Sequence, residues 1–368
     1  MNIMSQNRKI KTVVCLLAAM LLPLSCTDQE GTDNPDAPSF LRLSLSLAIP
    51  HPVEADVRTA AEVNGITVAD VRILQFAAGE DLKNNLSYNS VSVDADTGLP
   101  SVTTEGTDFD DISSRFYIVI NTGETFKDNI TGDASVTAEA CLKTQTLECT
   151  GTSLTTAPQV MTYGPYNYTS TAGTGVKKAL QLLARMQHIG AKLVVSWKVA
   201  DGVNIEITAA EVLNVPDKYF LYQQESASAV STTYLSGSQP IPFTDAVRSE
   251  NKFTFYMPEN PKGTGTGTTQ QEKSLAGKGP GGSLDGCTCI VLKGTYKYES
   301  GDTDPVEVEY HFYPGLDMVN NYDVERGKVY NLDITLGGAN SADARVRITD
   351  GNVFGIGDTD DVDHTIIF

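Results

Sequence analysis

The sequence predicts an all-β protein that folds as two β-sandwiches. Short runs rich in Val, Ile, Tyr and Thr are separated by Gly, Pro, Asn and Asp along almost the whole chain, which is the pattern of strands joined by turns. No helical pattern of comparable length competes with these runs. The chain has 368 residues, and a chain of that length needs two sandwiches to bury cores of ordinary size.

Eight segments carry the clearest strand pattern. They are 69–76, 114–123, 191–199, 203–215, 252–257, 289–298, 306–313 and 329–336. Residues 176–190 fit either an amphipathic helix or a strand, and the Gly-rich residues 261–282 predict a long flexible loop. We place the domain boundary near Gly190, which gives an N-terminal domain over 39–190 and a C-terminal domain over 191–368.

The N-terminal residues predict that the protein is exported. Basic residues precede an apolar stretch, Val13–Leu24, that is too short to span a membrane and is typical of a signal peptide over residues 1–25. Ser25 followed by Cys26 resembles a bacterial lipobox, which makes Cys26 the lipidated first residue of the mature chain. The alternative is an ordinary signal peptide cut elsewhere. Residues 26–38 are polar and acidic and read as a flexible tether, and acidic residues directly after a lipidated Cys resemble the surface-export signal of Bacteroidota lipoproteins.

The residues themselves disfavour two classes of function. A formal net charge of −19 repels phosphate backbones, so we expect no nucleic-acid partner. No nucleophile, metal or nucleotide motif of known spacing occurs, so we expect neither an enzyme nor a cofactor. The acidic residues 357–364 do not have the spacing of an EF-hand loop. They are interpreted as a solvated turn, with calcium binding left open and no metal ligand assigned.

The remaining cysteines leave their redox state open. Cys141 and Cys149 could form a disulfide in an oxidising compartment. Cys287 and Cys289 lie two residues apart on a predicted strand, so they share a face and are poorly placed to bond each other. Buried or free thiols are the simpler interpretation for all four.

The first strand of the mature chain has one strongly apolar face. Side chains in a strand alternate between its two faces, and the apolar set is Leu41, Leu43, Leu45, Leu47 and Ile49. The other face carries Arg42, Ser44, Ser46 and Ala48. Pro50 and Pro52 end the strand, and the segment after them contains a single basic residue, Arg58. A good strand at the mature N-terminus is therefore followed by a segment that a protease can reach.

An ordered set of segments along the mature chain resembles the fimbrillins, the type V pilin subunits of Bacteroidales-type bacteria. After Cys26, the acidic tether and the first strand come ITVADVRILQF, SSRFYIVINTG, LLARMQHIGAKLVVSW, FTFYMPEN, CIVLKGTYKY and NNYDVERGKVYNLDITLGG. FTFYMPEN is the closest to a family signature, and Gly327 stands where the family commonly has Asn. The resemblance favours a strand for residues 176–190 and implies two tandem transthyretin-like sandwiches.

The resemblance also implies a mechanism. Fimbrillins reach the cell surface as outer-membrane lipoproteins, and a trypsin-like, Arg-specific protease cuts them after the first strand. By analogy, cleavage here falls between Arg58 and Thr59, so residues 39–58 are the removable strand and loop. The vacated groove is then filled by a C-terminal strand of another subunit, a form of β-augmentation. The implied partners are other pilin subunits, the protease, the outer membrane through the lipid anchor, and host or bacterial surface ligands.

The candidate donor strand lies in residues 345–368. Its apolar residues fall in two runs before the final TIIF, and both follow GGANSADA, which we expect to be a flexible break. The candidate donor residues are Val346, Ile348, Val353, Phe354 and Ile356. Many fimbrillins carry a Trp in their final strands, whereas this chain has none after Trp197, so the donating run stays open. The alternative function is a monomeric surface lipoprotein whose sandwiches bind glycans or host ligands.

Overall fold

The computed structural model describes a defined part of the chain. The described residues are 40–50, 62–63, 66–79, 81–94, 98–104, 109–110, 112–123, 139–151, 154–170, 177–223, 233–298, 304–352 and 364–367.

In the part of the N-terminal half that the structure describes, the elements include strands and a short helix. In chain order the strands are β1 (Phe40–Ala48), β2 (Glu62–Val63), β3 (Ile66–Thr67), β4 (Val71–Ala77), β5 (Leu82–Tyr88), β6 (Ser92–Val93), β7 (Pro100–Thr103), β8 (Phe109–Asp110), β9 (Ser114–Ile120), β10 (Thr146–Glu148), β11 (Met161–Tyr168), β12 (Lys177–Arg185) and β13 (Gln187–His188). The helix is α1 (Glu139–Lys143). Residues 177–188 are therefore strands, as the family resemblance favoured.

The described residues of the C-terminal half form longer strands and include two further short helices. Its strands are β14 (Gly190–Val199), β15 (Asn204–Leu213), β16 (Lys218–Phe220), β17 (Gln239–Pro240), β18 (Lys252–Pro258), β19 (Cys289–Lys297), β20 (Val306–Phe312), β21 (Lys328–Gly338), β22 (Ser341–Asp350) and β23 (His364–Ile367). The helices are α2 (Asp245–Glu250) and α3 (Gln270–Lys273). The eight segments predicted most clearly from sequence all contain a strand.

Each half is a sandwich of two sheets, which confirms the predicted all-β fold. In the N-terminal half, a sheet of order β23-β12-β1-β7-β6, with β8 also paired to β1, faces a sheet of order β13-β11-β9-β4-β5. In the C-terminal half, a sheet of order β18-β14-β21-β22 faces one of order β17-β15-β19-β20. Both halves contain a parallel pair, β1 with β12 and β14 with β21.

The cores follow from strand alternation. In β14 the buried side chains include Leu193, Val195 and Trp197, every second residue, and they pack on those of β21. In β4, by contrast, six consecutive residues are buried. One face of β4 lies in the N-terminal core, and Leu74 and Phe76 on the other face are covered by a cluster that includes Leu221. A strand that is buried on both faces needs this second cover.

The two halves join where β14 begins, at Gly190, which packs tightly against the neighbouring strand β18. A Cβ at Gly190 would lie 2.7 Å from the Met257 carbonyl oxygen, so the approach of the chains there requires glycine. Strand β10 of the first half pairs with β16 of the second. Tyr222 also donates its hydroxyl to the Ile118 carbonyl at 3.1 Å. The junction therefore has its own backbone pairing and hydrogen bonds.

The expectation of a flexible loop over residues 261–282 is wrong. The segment contains α3 and two short 3-10 turns. Lys273 is 1% exposed, and its Nζ donates to the Asp317 carbonyl at 2.6 Å. The Tyr322 hydroxyl donates to the Lys273 carbonyl at 2.6 Å. These contacts come from a distant part of the chain, so they override the flexible composition of the segment.

The expected flexible break over GGANSADA is also wrong. Residues 337–344 contain the turn between β21 and β22 and the first residues of β22. The two strands pair antiparallel at ten positions, with an irregularity between Leu336 and Gly338. Gly338 has φ 157, a conformation that side-chain-bearing residues rarely adopt. The small residues here form a hairpin turn rather than a linker.

Candidate functional site

The first strand lies in the interior of its sheet. β1 pairs in parallel with β12 at nine positions, from Phe40 with Lys177 to Ala48 with Arg185. On its other side it pairs antiparallel with β7 at three positions and with β8 at two. Removal of β1 would therefore divide the sheet between β12 and β7, leaving an open groove between them.

The apolar face of β1 is fully enclosed. Its members are at most 2% exposed, and they are Leu41, Leu43, Leu45, Leu47 and Ile49. They share the N-terminal core with side chains such as Leu180 and Leu182 of β12. On the other face Arg42 is exposed and Ser44 and Ser46 are half-buried. Ala48, which alternation assigns to that outer face, is itself only 1% exposed.

Thr104 is a contact of β1 that the sequence did not indicate. Its hydroxyl oxygen accepts from the Leu43 N–H at 3.1 Å and donates to the Leu43 carbonyl at 3.1 Å. The Thr104 N–H donates to the same carbonyl at 3.1 Å. Thr104 is 1% exposed, so these bonds form away from water. These hydrogen bonds continue the pairing of β7 with β1 by one residue past the end of β7.

The predicted processing residues lie outside the described residues. These are the lipidation residue Cys26 and the cleavage residues Arg58 and Thr59. Another arginine, Arg72, can be compared: it lies in β4, is 3% exposed and donates to the Asn85 side chain at 3.1 Å. A protease cannot reach Arg72 while the sheet is intact.

The candidate donor residues fall partly in a strand of the C-terminal sandwich. Val346 and Ile348 lie in β22, an edge strand, and their side chains are half-buried against the C-terminal core. Val353, Phe354 and Ile356 lie outside the described residues. The chain is described again at β23, which pairs antiparallel with β12 in the N-terminal sandwich. The C-terminal segment thus contacts both sandwiches.

The junction between the halves contains a buried ion pair. Arg326 donates to Glu259 at 2.6 Å and to the carbonyls of Phe220 at 2.6 Å and Leu221 at 3.1 Å. The side chains of Arg326 and Glu259 are 10% and 6% exposed. Leu221 packs into the cluster on β4, so this pair fastens to the C-terminal sandwich the segment that contacts the N-terminal one.

His188 lies at the same junction. Its backbone N–H donates to the Asn352 side chain at 2.9 Å. Burial, together with a smaller repulsion from Lys192, lowers the pKa of the His188 imidazole to about 4. The ring is therefore neutral at physiological pH and acts as a packing group.

The described residues offer little catalytic chemistry. No group of three or more His, Cys, Asp or Glu side chains among them is placed to hold a metal ion. Cys141, Cys149, Cys287 and Cys289 are thiols rather than disulfides. Burial raises the pKa of Cys287 to about 11 and that of Cys289 to about 12, so both stay protonated and weakly reactive. The acidic run before His364 lies outside the described residues.

One polar cleft opens on the C-terminal sandwich, with a volume of about 610 Å³. It lies between α3, β20 and the β21–β22 hairpin. The side chains that give it its polar character are Gln270, Gln271, Ser274, Glu309, His311, Asn340 and Ser341. Glu309 and His311 contact each other at 2.5 Å and are nearly half exposed.

The described helices are too short or too polar to cross a membrane. In sequence, the family described as a domain of unknown function, DUF4906, matches residues 255–334, from β18 to β21. No curated protein matches the chain in sequence.

Solved structures are similar over almost the whole chain. The tip fimbrial protein Mfa3 from Porphyromonas gingivalis, solved with a C-terminal truncation, has a TM-score of 0.51 at 13% identity, over 84% of this chain and 99% of that one. Two candidate cell adhesion proteins from Parabacteroides distasonis have TM-scores of 0.52 and 0.53 at 14% and 12% identity. They cover 89% and 86% of this chain and 96% and 100% of their own.

These similarities establish the fold. The chain shares its architecture with fimbrial and adhesion proteins of the Bacteroidales, so the fold implied by the resemblance to the fimbrillins is confirmed. None of the three proteins is described as an enzyme.

Proposed function

We propose that the protein is a structural subunit of a cell-surface fimbria that supports adhesion. It is exported as an outer-membrane lipoprotein through Cys26 and is cut between Arg58 and Thr59 by an Arg-specific protease. Loss of residues up to Arg58 then opens a groove, and a C-terminal strand of another subunit fills it. The observation that carries this proposal is the interior position of β1, a strand at the start of the mature chain.

The burial of β1 explains why its loss would drive assembly. Five large aliphatic side chains, at ~1.5–3 kcal/mol each, amount to roughly 8–15 kcal/mol of burial. This is an upper estimate, because an unfolded chain already buries part of its apolar surface. It is still comparable to the whole stability of a typical domain, about 5–15 kcal/mol. A sandwich without β1 must unfold, aggregate or accept a replacement strand.

Of the two candidate donor runs, the first is already engaged in the C-terminal sandwich. Val346 and Ile348 belong to β22, which pairs with β21 at ten positions. Donation by this run would require all ten pairs to open and would uncover an edge of the C-terminal core. Donation by the residues after Asn352 leaves β22 in place, which supports the run containing Val353, Phe354 and Ile356 as the donor.

Protease treatment of the full chain tests the proposal. We expect a trypsin-like protease to give a new N-terminus at Thr59 and a ladder of multimers on an unboiled denaturing gel. Arg58→Ala should abolish both products, and Arg345→Ala, at an exposed arginine of β22, should change neither. A cut subunit that stays a folded monomer would exclude the polymer, and normal fibres from Arg58→Ala cells would move the cleavage site elsewhere.

Lipidation is tested separately. Cells grown with an alkyne-bearing palmitate should label the wild-type chain, and Cys26→Ser should remove the label and the membrane association. Cys15→Ser, within the signal peptide, is the matched control and should keep both. A label that survives in Cys26→Ser would assign the anchor to another residue.

A second candidate function, glycan binding, is supported by the polar cleft between α3 and β20. Amide, hydroxyl, carboxylate and imidazole groups line it, and such groups hydrogen-bond sugar hydroxyls. Glycan-array binding of the uncut chain would test it. Gln271→Ala should abolish a specific signal while leaving multimer ladders intact, whereas a signal unchanged by Gln271→Ala would place any glycan site elsewhere.

A further inference from the structure

Strand β12 holds both ends of the described chain. On one side it pairs with β1 at nine positions. On the other side it pairs antiparallel with β23 at four positions, from Lys178 with Ile367 to Gln181 with His364. The segment nearest the C-terminus therefore occupies the outer edge of the strand that also flanks the removable β1.

The outer edge of β12 needs a cover. Without β23, the N–H and C=O groups of residues 178–181 on this side would be unpaired in a strand whose inner face is apolar, with Leu180, Leu182 and Ala184 all buried. An exposed edge of this kind is a template for pairing with another strand. Residues 364–367 supply that strand.

β1 is also what joins β12 to the rest of its sheet. The order β23-β12-β1-β7-β6 places β1 between the β12–β23 pair and the β7–β6 pair. Once β1 leaves, the hydrogen-bonded partner of β12 within that sheet is β23, at four positions. A two-stranded ribbon of this length is marginal in water.

We propose that the outer edge of β12 is a strand-binding site that residues 364–367 of the same chain fill in the uncut subunit, and that release of β1 frees them. One cleavage then both opens the acceptor groove and frees the C-terminal segment to pair with another subunit. The binding of residues 364–367 to this edge does not depend on assembly. Their release by cleavage rests on the proposed function.

A register-specific disulfide tests the occupancy. Ala179 and Ile366 are direct partners across the β12–β23 pair, and the Cα spacing of such pairs, about 4.5–5.5 Å, suits a disulfide. In the uncut full chain with Cys141→Ser, we expect A179C/I366C to oxidise within one chain. Q181C/I366C, two residues out of register, is the control and should not crosslink.

The crosslink outcomes separate the alternatives. A bond within one chain, mapped by peptide mass, supports the proposal. No crosslink, or equal crosslinking in the control, overturns it. A crosslink between two chains also overturns it, because the edge would then be filled by a second copy. None of these outcomes depends on cleavage, so they do not test the proposed function.

Hydrogen exchange tests the coupling to β1. We expect the amides of residues 364–367 to exchange about tenfold faster when β1 is weakened, because local openings set exchange rates. Leu45→Ala weakens β1 without any cleavage, and Leu332→Ala is the same change in the other core. Faster exchange of residues 364–367 in Leu45→Ala than in Leu332→Ala supports the coupling between β1 and these residues. Equal exchange in the two variants overturns it, even if protease-treated subunits form fibres.

Discussion

The hydroxyl of Thr104 satisfies both backbone groups of Leu43, accepting from its N–H and donating to its carbonyl, each at 3.1 Å. This contact joins the short strand β7 to the middle of β1. We predict that Thr104→Val lowers the free energy of unfolding by about 1–3 kcal/mol, because it leaves the buried Leu43 N–H without this acceptor. Urea denaturation of the uncut chain measures the change.

The control for Thr104 lies in β7, the strand that Thr104 directly follows. Ser101, in β7, makes an exposed side-chain contact with Ser92. Ser101→Ala should change the stability by less than about 0.5 kcal/mol, as surface substitutions usually do. A Thr104→Val variant as stable as Ser101→Ala would show that the hydroxyl does not hold β1.

Leu45 should matter only before cleavage. Leu45→Ala removes a fully buried side chain from β1, and we predict a loss of about 2–5 kcal/mol in the uncut subunit. Once β1 has left, the substitution is no longer present in the subunit, so cut subunits should assemble at the wild-type rate. Denaturation of the uncut chain and multimer formation by cut subunits measure the two effects.

Two substitutions control the Leu45 experiment. Ser46→Ala, on the outer face of β1, should leave both measurements unchanged. Leu180→Ala, on β12, stays with the cut subunit and lines the groove, so it should weaken the uncut chain and slow assembly as well. Slower assembly of cut Leu45→Ala subunits would mean that β1 remains bound.

The ion pair of Arg326 and Glu259 should stabilise the junction. We predict that Arg326→Met costs about 3–5 kcal/mol, because it leaves a buried carboxylate without its partner. Glu259→Gln should cost less, since its amide oxygen still accepts from the guanidinium. Urea denaturation measures both. Arg345→Met, at an exposed pair with Asp343, is the control and should cost under about 1 kcal/mol. Equal costs for Arg326 and Arg345 would contradict this role.

His188 should make the protein less stable in mild acid. Its pKa in the folded chain is about 4 because it is buried, whereas an unfolded histidine titrates near 6.5. Between these values the unfolded chain binds more protons, so the free energy of unfolding falls as the pH falls from about 6.5 to 4. We predict that wild type loses about 1–2 kcal/mol more than His188→Gln between pH 7.5 and 4.5.

Urea denaturation at the two pH values measures the His188 contribution. His311→Gln controls for the loss of a histidine as such. Its free energy of unfolding should change between the two pH values by the same amount as that of wild type. If His188→Gln loses as much stability as wild type between pH 7.5 and 4.5, groups other than His188 cause the acid sensitivity.

The sequence predicts those features of the fold that depend on residues close together in the chain. The alternation in Leu41, Leu43 and Leu45 requires one buried face wherever the strand lies, and the structure buries that face. The burial of Ala48 was not predicted, because alternation assigns a side chain to a face and cannot indicate where both faces of a strand are covered. The flexible composition of residues 261–282 predicted a loose loop, yet contacts of Lys273 with Asp317 and Tyr322 order it.

The sequence by itself determined the class of fold and the apolar face of the first strand, because hydrophobic periodicity and turn residues act within a few residues of each other. Only the tertiary structure decided that β1 lies between β12 and β7, that Thr104 holds it and that residues 364–367 share β12 with it. These pairings join residues far apart along the chain. Their register is set by the packing of the whole core, which no short stretch of sequence encodes.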